Sequence, residues 1–192
     1  MKFTTERLNE MGVKEVSLKI DPLGGDLKAK DILMRNGISN DLAKPFTIYF
    51  VAYKHDGKQI GVIGRADGVI HRNHCDAPLL KLGAEYQKCR DVLFLNTIYV
   101  ENAYEGCGIA TDVLEKLPEL VNRNMRSAVD AILLTPIPQV KGLDGQIVQM
   151  PMGMDFFNKW AYLTKFYSNR GFRFLNSFDG MGKLLNQKQR PD

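Results

Sequence analysis

The chain of 192 residues has no apolar run long enough to cross a bilayer; its longest, such as Ile48–Tyr53 and Ile132–Leu134, are strand-sized. Met1 to Glu10 lacks the apolar core of a secretion signal. Cysteine is scarce: Cys75, Cys89 and Cys107 are far apart and odd in number, which excludes a disulfide framework and points to reduced thiols. No block of one charge is present either, since 26 basic and 22 acidic residues leave a net charge of only +4. That excess does not argue for nucleic acid, and it does not oppose an anionic ligand. Repeats and low-complexity segments are also missing. These absences lead us to expect one domain over residues 1–192, soluble and cytoplasmic, with no membrane partner and a frayed polar tail at 186–192.

What is present is a succession of short apolar runs. Lys14–Ile20 alternates and predicts a strand ended by Asp21-Pro22 and Gly24-Gly25. Helical pieces are expected at Leu27–Met34 and Ser39–Ala43, separated by Asn36-Gly37. Phe46–Tyr53 and Gln59–Ile63 flank His55-Asp56-Gly57-Lys58, a hairpin signal that predicts antiparallel pairing. A short helix is expected over Pro78–Gln87. Val92–Val100 is apolar except at Asn96 and Thr97, as for a central strand buried on both faces. After a turn at Glu101–Gly108, Ile109, Val113, Leu114, Leu117, Leu120, Val121 and Met125 recur at helical spacing. Pro118 inside that pattern predicts a kink or break. Val129–Leu134 reads as another buried strand. Pro136–Pro151, irregular and glycine-containing, is a candidate functional loop. Met154–Asn169 is expected to be a helix with Phe156, Trp160, Leu163 and Tyr167 on one face. Phe172–Ser177 and Gly182–Leu185 should close the sheet as a hairpin around Asp179-Gly180.

The stretch from Val100 to Thr111 carries the chemistry. A buried strand ends, a few residues loop out, and a helix begins near Gly108. The first turn of a helix leaves backbone N–H groups unpaired and carries partial positive charge. Gly106 and Gly108 remove the side chains that would hold a bulky anion away, so a phosphate or pyrophosphate can sit there. On the residues alone, glycines serving only the strand-to-helix geometry stay equally open. A P-loop is excluded, because Gly-Ile-Ala-Thr stands where Gly-Lys-Ser/Thr is required. A dinucleotide fingerprint is a poor match too, with Thr111 where glycine is wanted and a long antiparallel region ahead of the turn.

The segment Leu95–Thr111 and its following helix resemble the acetyl-CoA-binding core of the GNAT superfamily of N-acetyltransferases. The superfamily's turn, Gln/Arg-x-x-Gly-x-Gly/Ala, is matched by Glu105-Gly106-Cys107-Gly108-Ile109-Ala110. Downstream, Lys165-Phe-Tyr-Ser-Asn-Arg-Gly-Phe-Arg173 is similar to its helix end of the form Tyr-x-x-x-Gly-Phe. The two motifs stand in the superfamily's order, and the clear match spans residues 92–185. The resemblance implies an α/β (α+β) fold: a mixed, mostly antiparallel sheet flanked by helices, around a strand–glycine turn–helix core. It implies acetyl-CoA as co-substrate, held by Glu105, Gly106, Cys107, Gly108, Ile109, Ala110 and Thr111, with backbone groups of Ile98 and Val100 on the pantetheine arm. Glu105 departs from the motif's Gln or Arg, so its carboxylate is expected to face solvent. Trp160 stands where many relatives carry Asn.

The resemblance further implies direct attack of a primary amine on the thioester within a ternary complex. Tyr167 takes the place of the acid that stabilises or protonates the leaving thiolate; completing its helix's apolar stripe is the alternative. Asn96 falls where many relatives carry a catalytic Glu. It could hold a water that relays a proton, or serve as a plain buried hydrogen-bonding residue. No metal is expected: His71, His74, Cys75 and Cys89 do not have a common zinc spacing. Cys107, with no histidine nearby in sequence, reads as incidental to catalysis. The acceptor (a protein amine, an aminoacyl-tRNA or a small amine) is unspecified, and a homodimer stays open. Lys28, Lys30, Arg35, Arg170 and Arg173 could form a basic rim or be solvated surface charges. The competing functions are a non-catalytic acyl-CoA-binding regulatory module of the same fold, and a nucleic-acid-binding protein with an incidental glycine turn.

Overall fold

The computed structural model describes residues 1–21, 43–72, 84–86, 88–142, 145–175 and 178–185. The helices expected at Leu27–Met34 and Ser39–Ala43, most of Pro78–Gln87, His74, Cys75, Lys28, Lys30, Arg35 and the 186–192 tail lie outside the described residues; Ala43 itself opens a strand.

In chain order the strands are β1 (Lys2–Phe3), β2 (Glu15–Asp21), β3 (Ala43–Tyr53), β4 (Gln59–Arg72), β5 (Asp91–Val100), β6 (Val129–Leu134), β7 (Gln139–Lys141), β8 (Ile147–Gln149), β9 (Arg173–Leu175) and β10 (Phe178–Leu184). Helix α1 is Glu6–Glu10, α2 is Ile109–Met125 and α3 is Met154–Ser168. The main sheet runs β1-β2-β3-β4-β5-β6-β10-β9. All its pairings are antiparallel except β5 with β6, where α2 makes the crossover. The mixed, mostly antiparallel sheet flanked by helices is thus as expected. No helix of the described residues is long and apolar enough to cross a membrane.

The hairpin at Lys54–Lys58 closes as its Asp-Gly pair predicts: Lys54 N donates to Lys58 O at 2.8 Å, and Gly57 takes φ +80°. β4 runs much further than Gln59–Ile63 because its glycines are sockets. A Cβ at Gly64 would meet Phe50 Cδ2 at 2.6 Å, and one at Gly68 would meet Phe46 Cζ at 2.7 Å. Both rings are fully buried. One sheet face, with Phe46, Ile48, Phe50, Ala66, Leu93, Leu95 and Ile132, packs on the α2 stripe of Ile109, Val113, Leu114, Leu117, Leu120, Val121 and Met125. Each such side chain contributes about 1.5–3 kcal/mol by leaving water.

Some expectations are corrected. α2 does not break at Pro118, which lies inside the continuous helix, because the stripe is anchored on both sides of it by buried Leu117 and Leu120. Asp179-Gly180 is not a turn. It lies within β10, where the register against β9 shifts between Phe178 and Met181 and absorbs the extra residues. The 136–151 stretch folds part of itself into the β7–β8 hairpin. On α3, Phe156 and Tyr167 are buried but Trp160 is 38% exposed, since no element covers that part of the helix among the described residues. The N-terminus, featureless as sequence, is anchored by Leu8, which is fully buried.

Candidate active site

A gap in the sheet makes the site. β5 pairs with β6 only as far as Leu95↔Leu134, whereas its pairing with β4 continues to Gly64↔Val100. Among the described residues, Asn96–Val100 therefore has a strand on one side only. Asn96 is the extra residue of a bulge, because Asp67 opposes Thr97 and Gly68 opposes Leu95. Glu101 N donates to Ile63 O on the β4 side at 2.9 Å. By strand alternation, Ile98 and Val100 turn their N–H and C=O groups the other way, into the gap.

The gap opens into a cavity of about 510 Å³. Its lining includes Asn96, Ile98, Val100, Glu105, Gly106, Gly108, Ile109, Ala110, Thr111 and Tyr167. The cavity thus brings together every expected site residue except Cys107. That thiol is buried on the inner side, 3.6 Å from Met11 Sδ, and its N–H donates to Tyr104 O at 3.3 Å.

At one end of the cavity is the N-terminus of α2. Gly106 (φ +74°) and Gly108 (φ +83°) both take the left-handed backbone that glycine adopts without strain. The first intrahelical bond is Asp112 N to Gly108 O at 3.1 Å, and no side chain among the described residues caps the helix. The N–H groups of Ile109, Ala110 and Thr111 are therefore left to a ligand. The turn is braced from behind by α1, a contact without a sequence signal. Thr5 Oγ1 caps α1 by accepting from Leu8 N and donates to Cys107 O at 2.9 Å.

Cations surround this end. Arg170 donates to Thr111 Oγ1 and to Phe166 O, and its guanidinium stacks 3.7 Å over the Phe166 ring. The Glu105 carboxylate is half exposed and pairs with Lys159 Nζ at 3.5 Å, which offsets its charge beside the turn. Arg7 Nη1 lies 3.2 Å from where a Cβ on Gly106 would stand.

Tyr167 also lines the cavity and is buried, packed edge-on against Phe166 and Phe172. Burial pushes its phenol up to about 12, against a weaker opposing effect from Arg170. Its hydroxyl makes no hydrogen bond to the described residues. Gln139, which sequence reasoning passed over, extends from β7 to the bulge, where Nε2 donates to Asn96 O (3.4 Å) and Thr97 Oγ1 (3.3 Å). Glu105 is the sole carboxylate among the described residues that line the cavity. Among the described residues no cluster of His, Cys, Asp and Glu could hold a metal.

Solved structures of similar outline include GNAT-family acetyltransferases. A GNAT-family acetyltransferase from Listeria monocytogenes 4b F2365 superposes with a TM-score of 0.46 at 15% identity, over 96% of this chain and 100% of that one. One from Staphylococcus aureus Mu50 gives 0.39 at 14% identity, over 88% and 100%. AtaT complexed with acetyl-methionyl-tRNAfMet gives 0.40 at 12% identity, over 88% and 95%. No protein-family model and no curated protein matches the chain. Likeness at this level is one of outline and assigns no residue a role.

Proposed function

We propose that the protein is an N-acetyltransferase that moves an acetyl group from acetyl-CoA to a primary amine by direct attack. The observation that carries this reading is the cavity itself. It joins a helix start with uncapped N–H groups, suited to a pyrophosphate, to an open strand edge, suited to a diamide arm. The pyrophosphate would lie on the N–H groups of Ile109, Ala110 and Thr111, with Arg170 beside it. The arm would extend β5 as an added strand along Ile98 and Val100. Acetyl-CoA supplies the activated acyl group.

The thioester would then lie between the bulge at Asn96 and the Tyr167 hydroxyl. The amine lone pair attacks the carbonyl carbon, the C–S bond breaks, and the sulfur leaves as thiolate. A phenol at about 12 is a poor source of a whole proton for a thiolate whose acid lies near 8.5, the transfer being uphill by about 5 kcal/mol. Tyr167 therefore acts by donating a hydrogen bond to the sulfur, and the thiolate is finally protonated by the proton that the amine sheds. An acceptor that arrives as an ammonium must first lose one further proton to free its lone pair; with Glu105 engaged by Lys159, that first proton leaves through water held near Asn96.

The test is release of CoA thiol from acetyl-CoA across a panel of amines. Amine-dependent release supports the reading. Saturable CoA binding with no release on any amine favours the alternative, a non-catalytic acyl-CoA-binding module, to which the lack of a free cavity carboxylate lends support.

A further inference from the structure

The sheet face away from α2 carries a polar row that the proposed transfer does not use. Lys19, Tyr49, Arg65 and Tyr99 are successive cross-strand neighbours on β2, β3, β4 and β5. Such neighbours stand about 5 Å apart at Cβ. Tyr99 lines the cavity, so the row leads from it across the sheet. Beside it runs a second row, Thr47, Asp67 and Thr97, and Thr97 also lines the cavity.

Arg65 is held in place without being used up. Its Nε lies 3.1 Å from Asp67 Oδ2, and Thr47 Oγ1 donates to Asp67 Oδ1 at 2.7 Å, which fixes the carboxylate and so aims the guanidinium. The side chain is 31% exposed and its two terminal nitrogens have no partner among the described residues. Nearby Lys141 is differently placed, its ammonium engaged by Glu101 at 2.7 Å and Glu101 in turn accepting from the Tyr99 hydroxyl. A planar, positioned fork with free donors suits a carboxylate or phosphate. A second ammonium on the acceptor would meet Arg65 and Lys19 as like charges.

We propose that Arg65 recognises an anionic group on the acceptor, so that the substrate amine also carries a carboxylate or a phosphate. This rests on the acetyl-transfer reading above. The experiment compares kcat/KM for L-alanine against L-alaninamide, and O-phosphoethanolamine against ethanolamine, with putrescine as the cationic control. The anionic member of at least one pair is expected to lead by about tenfold or more, and which pair responds separates carboxylate from phosphate. Arg65→Met should erase the lead through KM, with acetyl-CoA affinity unchanged, and Arg65→Lys should keep part of it. In the wild-type protein, inorganic phosphate should compete with the amine, a readout that needs no variant. Equal or reversed preference, a lead that survives in Arg65→Met, or no competition by phosphate against the amine would overturn the proposal. So would a protein that acetyl-CoA stabilises but that turns over neither anionic amine. Lack of any stabilisation by acetyl-CoA instead overturns the cofactor reading, and this proposal with it.

Discussion

Replacing Tyr167 by Phe deletes one oxygen and keeps the ring that packs on Phe166 and Phe172. Because the hydroxyl bonds to none of the described residues, its loss should change folding stability near neutral pH by no more than about 0.5 kcal/mol. In the transition state the same hydroxyl would donate to a sulfur gaining negative charge, an interaction of about 1.5–3 kcal/mol. The expected result is a fall in kcat of about 10- to 150-fold, with the Kd for CoA unchanged. Both are read from thiol release at saturating acetyl-CoA and from titration with CoA. The variant also isolates a pH effect. Burial raises the folded-state value to about 12 from 10.0, so the unfolded chain ionises first. The resulting stability is fully present below pH 10 and is lost between pH 10 and 12, on the order of 3 kcal/mol in all. Urea unfolding at pH 9 and 11.5 should show the wild type losing more stability than Tyr167→Phe. An unchanged kcat would return Tyr167 to a purely packing role, and equal alkaline losses would refute the buried-phenol argument.

Other perturbations have equally definite outcomes. Gly108→Val forces a β-branched residue into φ +83° with Thr5 Cγ2 3.3 Å from the new Cβ, so CoA affinity should drop at least about tenfold; titration of the folded variant checks it. Glu105→Gln removes a half-exposed carboxylate beside the phosphates and should tighten CoA binding by no more than about fivefold, measured at low salt, because the Lys159 pair already offsets most of its charge. Thr5→Ala removes both the α1 cap and the bond to Cys107 O, and should cost about 1–2 kcal/mol in urea unfolding. Cys89 is buried, with its thiol pushed up to about 11 by burial and by nearby Asp130, so iodoacetamide at pH 8 should label it far more slowly than a free peptide thiol.

The features that were legible in the sequence are those whose cause is local. The α2 stripe is a period of 3.6 written in Ile109 through Met125, and the 54–58 hairpin rests on one Asp-Gly pair. The glycine turn states its own geometry, since Gly106 and Gly108 both need positive φ. What was missed depends on distant partners. The long β4 is hidden by Gly64 and Gly68, which look like breakers until Phe50 and Phe46 are seen lying over them. Gln139, Lys159 and Arg7 reach the site only because β7, α3 and α1 fold against it, and nothing in their own neighbourhoods marks them. Trp160 shares a helical period with Phe156 and Tyr167, but period says which residues share a face and not whether anything covers it. Cys107, inside the matched turn, faces the interior because the φ values of its flanking glycines carry the chain around it.

The central claim is that the cavity between β5, β6 and α2 holds an acyl-CoA, and a thermal melt with and without acetyl-CoA tests it most directly. At a ligand concentration about 100 times Kd, binding to the folded state alone adds about 2.7 kcal/mol, which for a chain of this size raises Tm by about 5–10 °C. The account predicts that rise for the wild type and its loss in Gly108→Val. A melt that no acyl-CoA moves at millimolar concentration would contradict it.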